Sequence, residues 1–122
     1  MKILVVEDNQ LILRMLEFRL KKDGHEVIVT HNGREAIEKI EAVQPDLVIT
    51  DILMPYVSGL EVVAAVKKKY PTGTPVIILS GMGQENVVVE GFQLGADDYI
   101  TKPFSPNELS ARVRRFDLSI VK

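Results

Sequence analysis

The chain contains no cysteine and no tryptophan. The first absence removes a disulfide scaffold, a thiolate zinc site and a cysteine nucleophile together. No apolar run exceeds Val62–Val66, far short of the ~18 residues that a membrane-spanning helix needs. Charge of one sign is missing too. Against 15 Lys and Arg stand 17 Asp and Glu, a formal charge of −2, which leaves no surplus cation to neutralise a phosphate backbone non-specifically. The first residues, MKILVVEDN, are interrupted by acids after four apolar positions, so no secretory signal is expected. What is present is 122 residues, 46% hydrophobic and 26% charged, the composition of one folded domain large enough to sustain its own core. The expectation is a single soluble, cytoplasmic domain over residues 1–122, with no linker or internal repeat, no membrane contact, and no output domain within these residues, whether it stands alone or belongs to a longer protein.

Short β-branched or apolar runs recur at Ile3–Val6, Val27–Thr30, Leu47–Thr50, Val76–Leu79 and Tyr99–Thr101. Their spacing is that of one strand, one helix and two short loops. Between them lie helical patterns. Ala36, Ile37 and Ile40 recur on one face with Arg34, Glu35, Glu38 and Lys39 opposite, and Leu60, Val63 and Val66 repeat the pattern. The last helix carries the clearest start signal: Ser105 as N-cap, Pro106 as first helical residue, Glu108 as capping-box partner, and a Phe104–Leu109 staple. The fourth is the weakest, since Val87–Val89 are β-branched and Gly91 follows. Strict strand–helix alternation implies a parallel sheet with helices on both faces. The chain is too short for an eight-unit barrel, which leaves an open doubly wound α/β sheet of five strands in the flavodoxin-like order 2-1-3-4-5.

In such sheets ligands bind beyond the carboxyl ends of the strands, where the strand order reverses. The residues at those ends are Glu7 and Asp8 after the first strand, Asp51 after the third, Ser80 after the fourth and Lys102 after the fifth. Three carboxylates in one crevice repel one another. A hard divalent cation relieves that repulsion, and Mg²⁺ suits a site with few protein oxygens because it keeps several waters. Lys102 adds a compact positive charge and Ser80 a hydroxyl. A carboxylate nucleophile, a metal, a lysine and a hydroxyl donor are the parts that take up and stabilise a phosphoryl group.

Each residue also has a plainer reading. Asp8 or Asn9 can cap the first helix, Asp51 can open a turn before Pro55, Lys102 can be a solvated surface lysine, and Tyr99 can be core packing. It is their coincidence at successive strand ends that favours a site. His25 and His31 read as surface histidines, since no partner spacing makes them ligands. Arg112, Arg114, Arg115 and Lys122 read as a solvated face or a protein contact rather than as a nucleic-acid surface.

The segments ILVVEDN, LVITDILMPYVSG, VIILSG and GADDYITKPF resemble the receiver domain of two-component response regulators, in register at every strand end from Ile3 to about Arg115. The resemblance implies that Asp51 accepts phosphate from a histidine kinase, that Asp8 is a direct Mg²⁺ ligand, and that Glu7 holds a metal-bound water. It further implies that the Leu53 backbone carbonyl completes the metal site and that Ser80 is the hydroxyl switch. Lys102 then matches the family's lysine, Tyr99 the aromatic that swings inward, and Lys102–Pro103 a cis peptide bond. GADDYITKPFSPNELSARVR is most similar to the DNA-binding transcription-factor branch. That branch implies output through helix 4, strand 5 and helix 5, a phosphorylation-dependent homodimer there, and no nucleic-acid binding by this domain itself. Opposite charges for the dimer would come from Asp97 and Asp98 against Arg112, Arg114 and Arg115. Gly81 and Gly91 stand where the family frequently has alanine, and Tyr56 is bulky for the turn after Pro55.

Two other classes are disfavoured. A haloacid-dehalogenase-like phosphatase wants a second Asp two residues after the nucleophile, where this chain has Leu53. A flavin or mononucleotide module wants a Gly-, Ser- or Thr-rich first loop, where this chain has Glu7-Asp8-Asn9-Gln10.

Overall fold

The structure is a computed structural model that describes residues 1–117; Lys122, read above with the basic group of the last helix, lies outside them. Among the described residues strands and helices alternate: β1 (Lys2–Val6), α1 (Gln10–Lys22), β2 (Glu26–Thr30), α2 (Gly33–Val43), β3 (Leu47–Asp51), α3 (Gly59–Lys69), β4 (Val76–Ser80), α4 (Glu85–Gln93), β5 (Asp98–Thr101) and α5 (Pro106–Arg114). All strand pairs are parallel, in the order β2-β1-β3-β4-β5. This is the doubly wound α/β sheet expected from the alternation.

Alternate side chains of the strands build the two halves of the core. Leu4, Val6, Val48, Val76 and Ile78 face α2, α3 and α4, where Ala36, Ile40, Val62, Val63, Val66 and Val88 meet them. Ile3, Val5, Leu47, Ile49, Ile77, Leu79 and Ile100 face α1 and α5, against Leu13, Leu16, Leu20, Leu109 and Val113. β1, β3 and β4 are buried on both faces, so their runs are continuously apolar. Ile37 departs from the expected apolar stripe of α2 and remains exposed, while Ala36 and Ile40 on the same helix are buried.

The strands run slightly further than the apolar runs. Asp51 and Ser80 are the last residues of β3 and β4, opposite Leu79 and Thr101 in the ladder. The sheet therefore brings both side chains to the crevice, Asp51 at the end of a central strand and Ser80 where β4 passes into the loop before α4. Gly59 opens α3 where a Cβ would strike the Asp51 carbonyl oxygen and Ile52. Glycine is what lets that helix start hard against the end of β3.

The helix starts settle one alternative and change one expectation. Of the two candidates for the first cap, Asn9 is the one that caps α1, accepting from Leu11 N and Ile12 N. Ser105 does cap α5, with Pro106 in the first turn, but the Glu108 carboxylate takes Arg112 at 3.5 Å. The reciprocal capping box is found at α3 instead, between Ser58 and Glu61.

Candidate functional site

β1 and β3 are neighbours, so Glu7, Asp8 and Asp51 emerge together at the carboxyl edge of the sheet. Asp8 is free to face the crevice because Asn9 has taken the cap. One carboxylate oxygen from each of the three lies within 4.8 Å of the other two. Glu7 is fully buried and Asp51 nearly so, while Asp8 is exposed. Lys102 reaches across from the end of β5 and places Nζ 3.0 Å from Glu7 Oε1 and 3.2 Å from Asp51 Oδ2. Its backbone N–H donates to the Ser80 carbonyl at 2.6 Å, which ties the β4 and β5 ends together. The Lys102–Pro103 peptide bond is cis.

Burial pushes the Glu7 carboxyl up to about 7, opposed by the Asn9 N–H bond and reinforced by the charge of Asp51. Asp51 is raised as well, first by burial, with Lys102 pulling the other way and Asp8 adding repulsion. For Lys102 burial acts to lower the pKa, but the hydrogen bond to Glu7 and the charges of both carboxylates outweigh it, and the ammonium is favoured. One cation thus faces three acids, and the group is short of positive charge. An all-oxygen donor set, two members buried and one open to water, fits a hard divalent ion that retains part of its hydration shell.

Ser80 is buried at the end of β4. Tyr99 is 40% exposed and points outward, its ring edge-on to Phe92 at 5.9 Å. Between them lies a groove of about 310 Å³ lined by Ser80, Gly81, Glu85, Val88, Val89, Phe92, Tyr99 and Thr101. Leu53 and Met82 are 50% and 83% exposed, on the loops that follow β3 and β4. Tyr56 is wholly exposed at a φ of +69°, in a three-residue turn closed by Val57 N donating to Pro55 O at 2.8 Å.

Several charges are placed differently from their sequence reading. Asp98 is buried and takes Arg112 at 2.9 Å and Arg115 at 3.0 Å within the same chain. Asp97 accepts from Lys67 at 2.9 Å and from Val76 N at 2.8 Å. Asp98 thus meets two of its expected partners, Arg112 and Arg115, within the monomer, while Asp97 pairs with Lys67 instead. His25 is not a plain surface residue: it is half-buried, 3.0 Å from the Met1 amino group, and burial followed by that charge lowers its pKa. His31 is exposed, as expected. The sequence reading missed Gln84, whose Oε1 accepts from Gly81 N at 2.6 Å.

Comparison with known proteins bears on the family and the fold. Residues 3–114 match the family model of the response regulator receiver domain. A response regulator receiver domain protein from Clostridium thermocellum is 33% identical with a TM-score of 0.88, over 94% of this chain and 92% of that one. The chemotaxis protein CheY4 of Vibrio cholerae is 32% identical with a TM-score of 0.87, over 94% and 97%. NtrX from Brucella abortus is also 32% identical at a TM-score of 0.87, but the match covers 94% of this chain and only 26% of that one.

Proposed function

This chain belongs to the response regulator receiver domains, and from that premise we propose that Asp51 accepts a phosphoryl group from the phosphohistidine of a sensor kinase or phosphotransfer protein. Membership makes the chain a phosphorylation-dependent signalling module with a kinase or phosphotransfer partner, a phosphoacceptor switch rather than a conventional enzyme. The observation that carries the reading is the convergence of Glu7, Asp8 and Asp51 within 4.8 Å, with Lys102 touching two of them.

An Asp51 carboxylate oxygen attacks phosphorus in line with the leaving nitrogen. The P–N bond breaks as the new P–O bond forms, and the electron pair leaves with the imidazole, which takes a proton from water. Asp8, Asp51 and the Leu53 carbonyl would hold a Mg²⁺ ion, with Glu7 helping through water, and when bound that ion would supply positive charge to offset the phosphoryl oxygens. Lys102 donates to one of those oxygens from the position it already occupies. Ser80 donates its hydroxyl to another, which draws the end of β4 toward the phosphoryl group. Tyr99 then turns into the groove behind Ser80, and the α4–β5–α5 face changes shape.

That face is the output surface, toward an output domain or a second copy of the chain in the cytoplasm. With Asp98 already held by Arg112 and Arg115, the exposed Val89, Phe92 and Tyr99 provide the area for a phosphorylation-dependent homodimer. The similarity of this segment to transcription-factor receivers supports a transcriptional output, with DNA left to another domain. The phosphoryl group is long-lived in this reading, because Leu53 and Met82 flank the approach of a hydrolytic water and neither can orient it.

Intact-mass measurement after acetyl phosphate treatment tests the assignment. The parent gains one phosphoryl group only with Mg²⁺ present, and Asp51→Asn and Asp8→Ala gain none. Full incorporation in either variant ends the reading. In the decay that follows, a Leu53→Asn, Met82→Glu double variant loses phosphate faster, on the order of tenfold; an unchanged rate removes the account of its lifetime.

A further inference from the structure

Four helix starts carry a side-chain cap: Asn9 for α1, Asn32 for α2, Ser58 for α3 and Ser105 for α5. α4 alone among the described helices has none. Its N-cap residue, Gln84, has a side chain able to accept hydrogen bonds, but that side chain is turned the other way. Gln84 Oε1 accepts from the backbone N–H of Gly81 at 2.6 Å, and the carboxamide lies over Gly81 in van der Waals contact with the place a Cβ would occupy. The bond therefore spans the whole β4–α4 loop, from the residue after Ser80 to the residue before α4. Within that loop Gly83 adopts a φ of +82° with open space around it, so little else restrains the segment. A bond this short in a loop with two glycines holds the loop in one shape.

We propose that Gln84 is a latch that stabilises the resting position of Ser80 and Gly81 and must open for the phosphorylated state to form. The inference rests on the reading that Ser80 is drawn toward a phosphoryl group on Asp51. Moving Ser80 carries the Gly81 N–H with it and pulls that donor off Gln84 Oε1. Glutamine is not a preferred N-cap, so the freed carboxamide regains little at the uncapped start of α4. Gln84 thus couples the crevice to the first turn of α4 as a positioning residue, with no contact to the phosphoryl group itself. Because the latch favours only the resting state, its strength is subtracted from the affinity of whatever binds the switched state.

This predicts a sign opposite to that of an ordinary structural contact. Gln84→Ala should bind beryllofluoride in Mg²⁺ buffer more tightly than the parent, by about three- to tenfold, the scale of one neutral hydrogen bond. Gln84→Glu, which keeps the Oε acceptor, should restore the parent's affinity. Gln84→Ser is too short to span the loop yet is a good helix cap, and should also bind more tightly while keeping α4 folded. In the free protein, amide hydrogen exchange at Gly81 should accelerate in the Ala and Ser variants and not in the Glu variant. Equal or weaker beryllofluoride binding by both Gln84→Ala and Gln84→Ser overturns the latch. A parent that binds no beryllofluoride, or binds it equally well as Asp51→Asn, instead overturns the phosphoacceptor reading and the latch's role with it. The two failures are distinguishable because one appears in the parent and the other only in the variants.

Discussion

α4 and α5 have the same length, nine residues each, and each follows a strand that delivers one polar group to the crevice, Ser80 or Lys102. They are otherwise opposites. α5 starts on a Ser105 cap with proline in its first turn, buries Leu109 and Val113, and is tied to β5 by Arg112 and by Arg115, just past its end, both on Asp98. α4 starts without a side-chain cap, buries only Val88 and Gly91, and leaves Val89 and Phe92 exposed. Gly91 is not a casual weakness: a Cβ there would run into the Ile78 side chain, so α4 gives up helix propensity to lie close on the sheet. The difference assigns the two halves of the crevice different physical work. The α5 side holds a fixed charge against the carboxylates. The α4 side carries the hydroxyl on a segment whose local stability is low, which is where a switch has to be built.

The fixed half is broken most severely at Lys102. Lys102→Ala removes the cation that touches both Glu7 and Asp51 and leaves two buried carboxylates facing each other. Phosphate incorporation from acetyl phosphate should slow by about a hundredfold or more, the usual cost of deleting one preorganised donor at a site of developing charge. Intact mass against time checks this. A variant within about threefold of the parent would mean that the α5 side contributes shape and not charge.

A second test of the fixed half is its pH dependence without metal. Glu7 is raised from 4.5 to about 7 in the folded state, principally by burial. Its protonated form is therefore the one that folding favours. The stability it contributes is fully present below the unfolded value of 4.5 and is lost as pH rises through about 7. With EDTA present, the Tm of the parent should fall between about pH 5 and 8, and Glu7→Gln should flatten that slope. Asp51 is shifted the same way, so some slope should remain in the variant. Mg²⁺ should abolish the difference above neutral pH by supplying the missing positive charge. Parallel Tm curves for parent and Glu7→Gln in EDTA would show that burial of Glu7 carries no net cost.

Much of the fixed half is legible in the amino-acid sequence. Buried parallel strands announce themselves as continuous apolar runs, and the topology follows from their alternation with helices. That topology brings Glu7, Asp8, Asp51, Ser80 and Lys102 to one edge without further information. The soft half is legible only as poor helix propensity in Val87–Val89 and Gly91. The bond from Gln84 back to Gly81 has no sequence signature, because glutamine is not a preferred N-cap and a bond running against the chain direction leaves no periodicity. The intrachain Asp98–Arg112–Arg115 group is invisible in the sequence for a related reason. Opposite charges on β5 and α5 look available to a partner until tertiary packing places them 2.9 to 3.0 Å apart. Likewise Ser58-x-x-Glu61 and Ser105-x-x-Glu108 both fit a capping box, and only the neighbour one turn on decides. Glu108 has Arg112 within reach, whereas Glu61 accepts from the Ser58 N–H.

The smallest effect concerns the caps themselves. Ser105 Oγ accepts from Glu108 N at 3.0 Å, and Ser105→Ala should cost about 1 kcal/mol of global stability, a fall in Tm of about 3–5 °C for a domain of this size. In the parent, amide protection should be lower throughout α4 than in α5, since only α5 combines a cap, a proline start and two buried anchors. Ser105→Ala should bring the first turn of α5 down toward the α4 level and leave α4 unchanged, because the two helices lie on opposite faces of the sheet and bury their side chains in different halves of the core. Native-state hydrogen exchange reads both quantities in one experiment. If α4 in the parent proves as protected as α5, the division into a fixed and a soft half is wrong. If Ser105→Ala loosens α4 as much as α5, the two halves exist but unfold as one unit, and the softness that the switch requires must then come from the β4–α4 loop alone.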